Sequence, residues 1–178
     1  MVMINNLQPV FFHTYGRRPE LVRTISIAEI SFFDAFGQDV DFNDLYPQTA
    51  YLDIETGDVI WIFEEDQDAE MAAGIDPGEN QKLREQIDSS TEEMYIEIPG
   101  RSHAQHHEFL QKFLQSNWIN DGELWKRAYD AYSGSIGRWI DAVGDRNVVH
   151  SYYNFRDSEI KEMAEEFLQE HGIKPLWR

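Results

Sequence analysis

The chain contains no cysteine among its 178 residues. Disulfides, thiolate metal sites and a cysteine nucleophile are therefore excluded. Basic residues are also scarce: 15 Lys and Arg stand against 33 Asp and Glu, a formal net charge of -18. That balance favours solubility, opposes adhesion to nucleic acid or anionic lipid, and suits a basic partner. No apolar stretch approaches the length of a membrane span. Met1-Val2-Met3-Ile4-Asn5-Asn6 places no basic segment before an apolar run, so a secretory signal is not expected and a cytoplasmic location is. No serine sits in Gly-x-Ser-x-Gly, and the glycines make neither a P-loop nor a dinucleotide fingerprint. No cofactor is expected. What is present is 42 % apolar and 13 % aromatic content, enough for one well-buried core at this length.

Tyr51 to Phe63 reads as two strands around a tight turn, with Gly57 supplying a positive φ and Asp58 following as a second turn residue. Before it, Ser26-Ile27-Ala28-Glu29 has the form of a capping box, and Ile27, Ile30, Phe33 and Phe36 recur at helical spacing up to Gly37. After it, Glu64-Glu65-Asp66-Gln67-Asp68 is a dense acidic run. Its spacing lacks the glycine and glutamate positions of an EF-hand, so it reads as solvated acid rather than a calcium loop. Asp76-Pro77-Gly78 reads as a turn and Asn80 to Ile87 as a short helix. Met94-Tyr95-Ile96-Glu97-Ile98 alternates as a third strand that pairs with the hairpin. The remainder reads as helical: about Ser102 to Gln115, Asp121 to Tyr132, Ser135 to before Gly144, and Val149 to His171 with Gly172 as terminator.

Four segments carry a family likeness in order. They are the hairpin Tyr51 to Phe63, the strand Tyr95-Ile96-Glu97-Ile98-Pro99, the piece Gly134-Ser135-Ile136-Gly137-Arg138-Trp139, and the end Tyr152-Tyr153-Asn154-Phe155-Arg156-Asp157 through Phe167 to Pro175. In that order the chain resembles the bacterial uncharacterised protein family 0158, from about Ser26 to Pro175. The resemblance implies a small bacterial protein with a short sheet and a helical C-terminal half, and no assigned activity to carry over. It divides the chain into an N-terminal extension over residues 1–25 and a single α+β domain over residues 26–175. Near His107 that family usually shows an aromatic residue, so the histidine departs from its pattern.

Two constellations could carry chemistry. His103 and His107 stand one helical turn apart, about 6 Å between Cβ atoms, close enough to share a metal. A third ligand would come from Asp53, His150 or the acids after Phe63. Against that, Phe109, Leu110, Phe113 and Leu114 mark the buried face and His106 is in register with it, which reads as a half-buried structural histidine. The second is Arg138 beside Trp139 and Arg156 beside Asp157, which reads either as an anion clamp or as an arginine tying one helix to the next through a buried carboxylate. The helix-turn-helix spacing from Glu123 to Val143 brings only Lys126, Arg127 and Arg138, too few phosphate contacts for an acidic chain, so nucleic acid is disfavoured.

The expected fold is α+β: a small antiparallel sheet of three or four strands with a largely helical C-terminal half packed on one face. The expected function is that of a small acidic cytosolic interaction protein, non-enzymatic, taking a basic protein surface as partner. The alternative is a metal-dependent hydrolase built on His103 and His107. An acidic mimic of nucleic acid also fits the charge but needs acids spaced like phosphates. Val10-Phe11-Phe12 and Leu176-Trp177 are candidate homodimer contacts, as short apolar segments able to dock on a neighbour.

Overall fold

The computed structural model describes residues 22–40, 48–63, 76–90, 94–116 and 118–178. Within them run β1 (Arg23–Ile27), α1 (Glu29–Phe36), β2 (Gln48–Asp53), β3 (Val59–Phe63), α2 (Pro77–Ser89), β4 (Tyr95–Ile98), α3 (His103–Gln115), α4 (Gly122–Ala131), α5 (Ile136–Val143), α6 (Arg146–Glu170) and β5 (Ile173–Trp177). The class is α+β, with four of these six helices in the C-terminal half.

The hairpin and its third strand form an antiparallel sheet in the order β3-β2-β4. Ala50 faces both Trp61 and Ile98 across the ladders, and Leu52 faces Val59 and Ile96. Gly57 turns the hairpin at φ 73°. The turn is held from below by Asp53, whose Oδ1 accepts the Glu55 N–H at 2.8 Å and the Thr56 N–H at 3.2 Å. The outer edge of β3 is closed by α2. The Asn80 amide accepts the Phe63 N–H and donates to the Phe63 carbonyl, both at 3.1 Å, so a side chain stands where another strand would pair.

A second ladder was not expected. β1 and β5 pair in parallel, Ile25 opposite Pro175 and Ile27 opposite Trp177. This corrects the reading of Ser26 to Glu29 as a helix start. Ser26 and Ile27 belong to β1, and α1 begins at Glu29 with Ala28 as an N-cap that makes no side-chain bond. The buried face of α1 is correspondingly Phe32, Ala35 and Phe36, while Ile30 is 78 % exposed. Trp177 packs in its own chain, its ring 4.8 Å from Phe33 and 5.8 Å from Phe32, whereas Leu176 is exposed. Val10-Phe11-Phe12, with the rest of residues 1–21, and the acidic run after Phe63 lie outside the described residues.

Two apolar clusters form the core. One joins Ile25, Ile27, Phe32, Phe36, Leu52 and Ile98 of the sheets and α1 to Phe109 of α3 and to Ile160, Ala164 and Leu168 of α6. The other joins Leu110, Phe113 and Leu114 of α3 to Ala128, Trp139, Val143, Val148, Tyr152 and Phe155. α3 and α6 thus serve both clusters, and the 25-residue α6 bridges them along its length. Each fully buried Leu, Ile or Phe here contributes about 1.5–3 kcal/mol over its exposed state. Trp139 lies wholly buried between α4 and α6, its indole N–H donating to the Ala128 carbonyl at 2.8 Å.

The four C-terminal helices start on side chains that satisfy their free N–H groups. Ser102 and Gln105 form a reciprocal capping box on α3, and Asp121, Ser135 and Asp145 cap α4, α5 and α6. The Asp145 cap starts α6 at Arg146, ahead of the expected Val149. Likewise Asp76 is the N-cap of α2 rather than part of a separate turn, and Pro77 opens that helix.

Candidate functional site

α3 sorts its three histidines by helical phase. His106 falls on the buried stripe with Phe109, Leu110 and Phe113. Its ring stands edge-on to Phe109, and its Nε2 has no hydrogen-bond partner among the described residues. Burial lowers its pKa; Asp39 opposes that, and Arg156, His103 and Arg101 add to it. His106 thus lies on the buried face, where its register placed it.

His103 and His107 project together from another face of α3. Their rings meet edge to face with centroids 4.4 Å apart, and the two Nε2 atoms are 2.9 Å apart. Each outer nitrogen is also held. His103 Nδ1 lies 3.1 Å from the Asp39 carboxylate, and His107 Nδ1 lies 2.8 Å from the Tyr132 hydroxyl. An ionised carboxylate only accepts, which fixes the direction of the whole row. His103 donates its Nδ1–H to Asp39, which leaves its Nε2 as an acceptor. His107 then donates its Nε2–H to His103, and its own Nδ1 accepts the Tyr132 O–H. A tautomer exchange at His107 alone moves its proton to Nδ1, towards the Tyr132 oxygen, and leaves two unprotonated Nε2 atoms side by side. Burial and the neighbouring His103 lower the His107 pKa, and Asp39 opposes them.

Asp39 reaches this row because its segment is pinned to the start of α3. The Arg101 N–H donates to the Gln38 carbonyl at 2.6 Å, and the Val40 N–H to the Arg101 carbonyl at 3.0 Å. Arg101 is itself buried, with its guanidinium donating to the Pro99 carbonyl at 2.8 Å and lying 4.2 Å over the Phe36 ring. Tyr132 arrives as the C-cap of α4. Neither partner of the histidines was singled out in the sequence.

Of the residues expected as a third ligand, Asp53 and His150 do not join them, and the acids after Phe63 lie outside the described residues. Asp53 is occupied in the hairpin turn, and His150 is exposed on α6 in a shallow cleft with Ile140, Asp145 and Tyr153. Among the described residues no group of three or more His, Asp or Glu could hold a metal ion.

The arginine candidates separate. Arg138 is exposed on α5 while its neighbour Trp139 fills the core. Arg156 turns to Asp157 one residue on, both Nε and a terminal nitrogen donating to Oδ1 at 3.0 and 2.7 Å, and its guanidinium lies 4.9 Å from the Tyr153 ring. Asp157 is exposed, so this pair is not the buried interhelical tie that was one reading. Arg156 and Asp157 instead rim a cleft of about 440 Å³ between α1 and α6, with Glu29, Asp34 and Lys161 supplying further charge of both signs.

No helix among the described residues is long and apolar enough to cross a membrane. No family model matches the chain, and neither a curated protein nor a solved structure matches it.

Proposed function

We propose that this chain is a small acidic cytoplasmic interaction protein, non-enzymatic, whose partner presents a basic protein surface. We also propose that it belongs with the bacterial uncharacterised protein family 0158, on the four sequence segments named above. The observation that carries the functional reading is on α6. Glu162, Glu165, Glu166 and Glu170 all point to solvent. Glu162, Glu166 and Glu170 follow one another at four-residue spacing, so their charges repel along one stripe. Among the described residues Glu165, Glu166 and Glu170 have no ion-pair partner, in keeping with the surplus of 33 acids over 15 bases. A basic surface laid along that stripe relieves the repulsion. Affinity capture of the native protein from its own cytosol tests this. The expected result is a companion with a basic face that salt elutes; recovery of nothing above a charge-matched control would contradict it.

A second reading, a metal-dependent hydrolase on His103 and His107, is favoured by the convergence of the two Nε2 atoms. Among the described residues no carboxylate stands with the two Nε2 atoms as a third ligand, and Asp39 holds the far nitrogen of His103. Metal-stimulated ester or phosphoester cleavage that disappears in His103→Gln would support it, and its absence with every divalent ion tried would remove it.

A further inference from the structure

We propose that His103 and His107 form a two-imidazole chelate for a divalent transition-metal ion of the Cu(II) or Ni(II) type, with Asp39 and Tyr132 as the positioning residues behind the two rings. Three observations converge on it. The first is spacing. Two nitrogens 2.9 Å apart, each at the usual metal–imidazole distance of about 2.0–2.1 Å, subtend about 90° at the ion. That is the angle between adjacent ligands in a square-planar or octahedral site, and narrower than the tetrahedral angle zinc prefers.

The second is the far side of each ring. A metal-bound imidazole ordinarily donates its other N–H to a carboxylate, carbonyl or hydroxyl, which fixes the tautomer and the aim of the ring. Here both outer nitrogens already have such partners, Asp39 and Tyr132. The proton balance closes without loss. His103 keeps its Nδ1–H on Asp39. His107 moves its proton from Nε2 to Nδ1 and donates it to the Tyr132 oxygen, and the Tyr132 hydroxyl turns to donate to water. Both Nε2 lone pairs then face the ion, and no proton need leave the pair.

The third is access. The His103 side chain is 43 % exposed, so the ion can enter and water can fill its remaining positions. Both ligands come from one helix at a separation of four residues, so the site is built once α3 forms. Two protein ligands rather than three make it a site of moderate affinity. It requires neither hydrolysis nor the basic partner proposed above, because it is read on the chain alone.

The test is titration of metal-stripped, full-length protein with Cu(II), Ni(II) and Zn(II) separately, with electron paramagnetic resonance of the Cu(II) form. The expected result is one Cu(II) bound per chain with moderate affinity, whose spectrum shows two imidazole nitrogens, with Zn(II) taken up least. His107→Phe is expected to leave one nitrogen in the spectrum and weaken binding at least tenfold. His103→Gln, judged folded by circular dichroism, repeats that test should the first variant fold poorly. Tyr132→Phe is expected to keep the two-nitrogen spectrum while weakening binding about tenfold, as loss of an outer hydrogen bond does. A wild-type protein that holds no Cu(II), a spectrum lacking the two-nitrogen pattern, or His107→Phe and His103→Gln proteins that bind as tightly as wild type would each overturn the proposal.

Discussion

At Gly57 the chain passes through φ 73° with its N–H donating to Asp53 and its carbonyl accepting the Ala28 N–H at 3.2 Å. One residue thus turns the hairpin and fastens it to the end of β1. A Cβ there would run into the Ser26 carbonyl, in a conformation that side chains rarely adopt. Gly57→Ala is therefore expected to cost about 2 kcal/mol or more, read as a lower denaturation midpoint at unchanged slope. Tyr152 gives a second residue-scale expectation. Burial pushes its pKa up to about 12, with Arg156 opposing. Between about pH 10 and that value the unfolded chain has lost a proton that the native chain keeps, so stability falls as pH rises through this window. Absorbance titration of tyrosinate should show a late-titrating group among the eight tyrosines, absent from Tyr152→Phe. Residue-scale chemistry was legible only where both partners sit in one local pattern. The His103–His107 pair shows in a four-residue spacing. Asp39 and Tyr132 do not, because they stand 64 and 25 residues from the histidines they hold and only the fold brings them in.

The elements were most legible where local chemistry decides them. Ser102, Asp121 and Ser135 each announce a helix start within a residue of its place, because a capping side chain acts on the next three N–H groups and needs nothing distant. The hairpin was legible for the same reason. β1 and β5 were not. Their ladder joins residues about 150 positions apart, and a parallel pair leaves no turn between its strands to read. Ile27 then lent its apolar side chain to a false helical period with Ile30, which the structure leaves exposed. α2 offers the test at this scale. Its hold on β3 runs through Asn80, with Arg84 also donating to the Phe63 carbonyl. Asn80→Ala is expected to strand the Phe63 N–H at the sheet edge, to cost about 1–3 kcal/mol, and to raise amide exchange in α2 and at Phe63 while leaving α6 protected. Uniform exchange across both helices would show that the clasp is not local.

At the scale of the whole molecule, two core clusters bridged by α3 and α6 belong to a chain whose acids outnumber its bases by more than two to one. Such an excess works against the compact state and is relieved by counter-charge. Among the described residues the α6 stripe sets part of that excess in a regular row. Glu166→Gln removes the middle of it and is expected to stabilise the free protein by about 0.3–0.5 kcal/mol at low salt, and by less at high salt. Under the proposed function the same change is expected to weaken association with a basic partner. The most direct measurement is the dissociation constant of the captured partner, taken against ionic strength for the wild type and for a Glu162→Gln, Glu166→Gln, Glu170→Gln variant. The account predicts weakening with added salt for the wild type, and weaker binding with a shallower salt dependence for the variant. Equal affinities with equal salt dependence would contradict it.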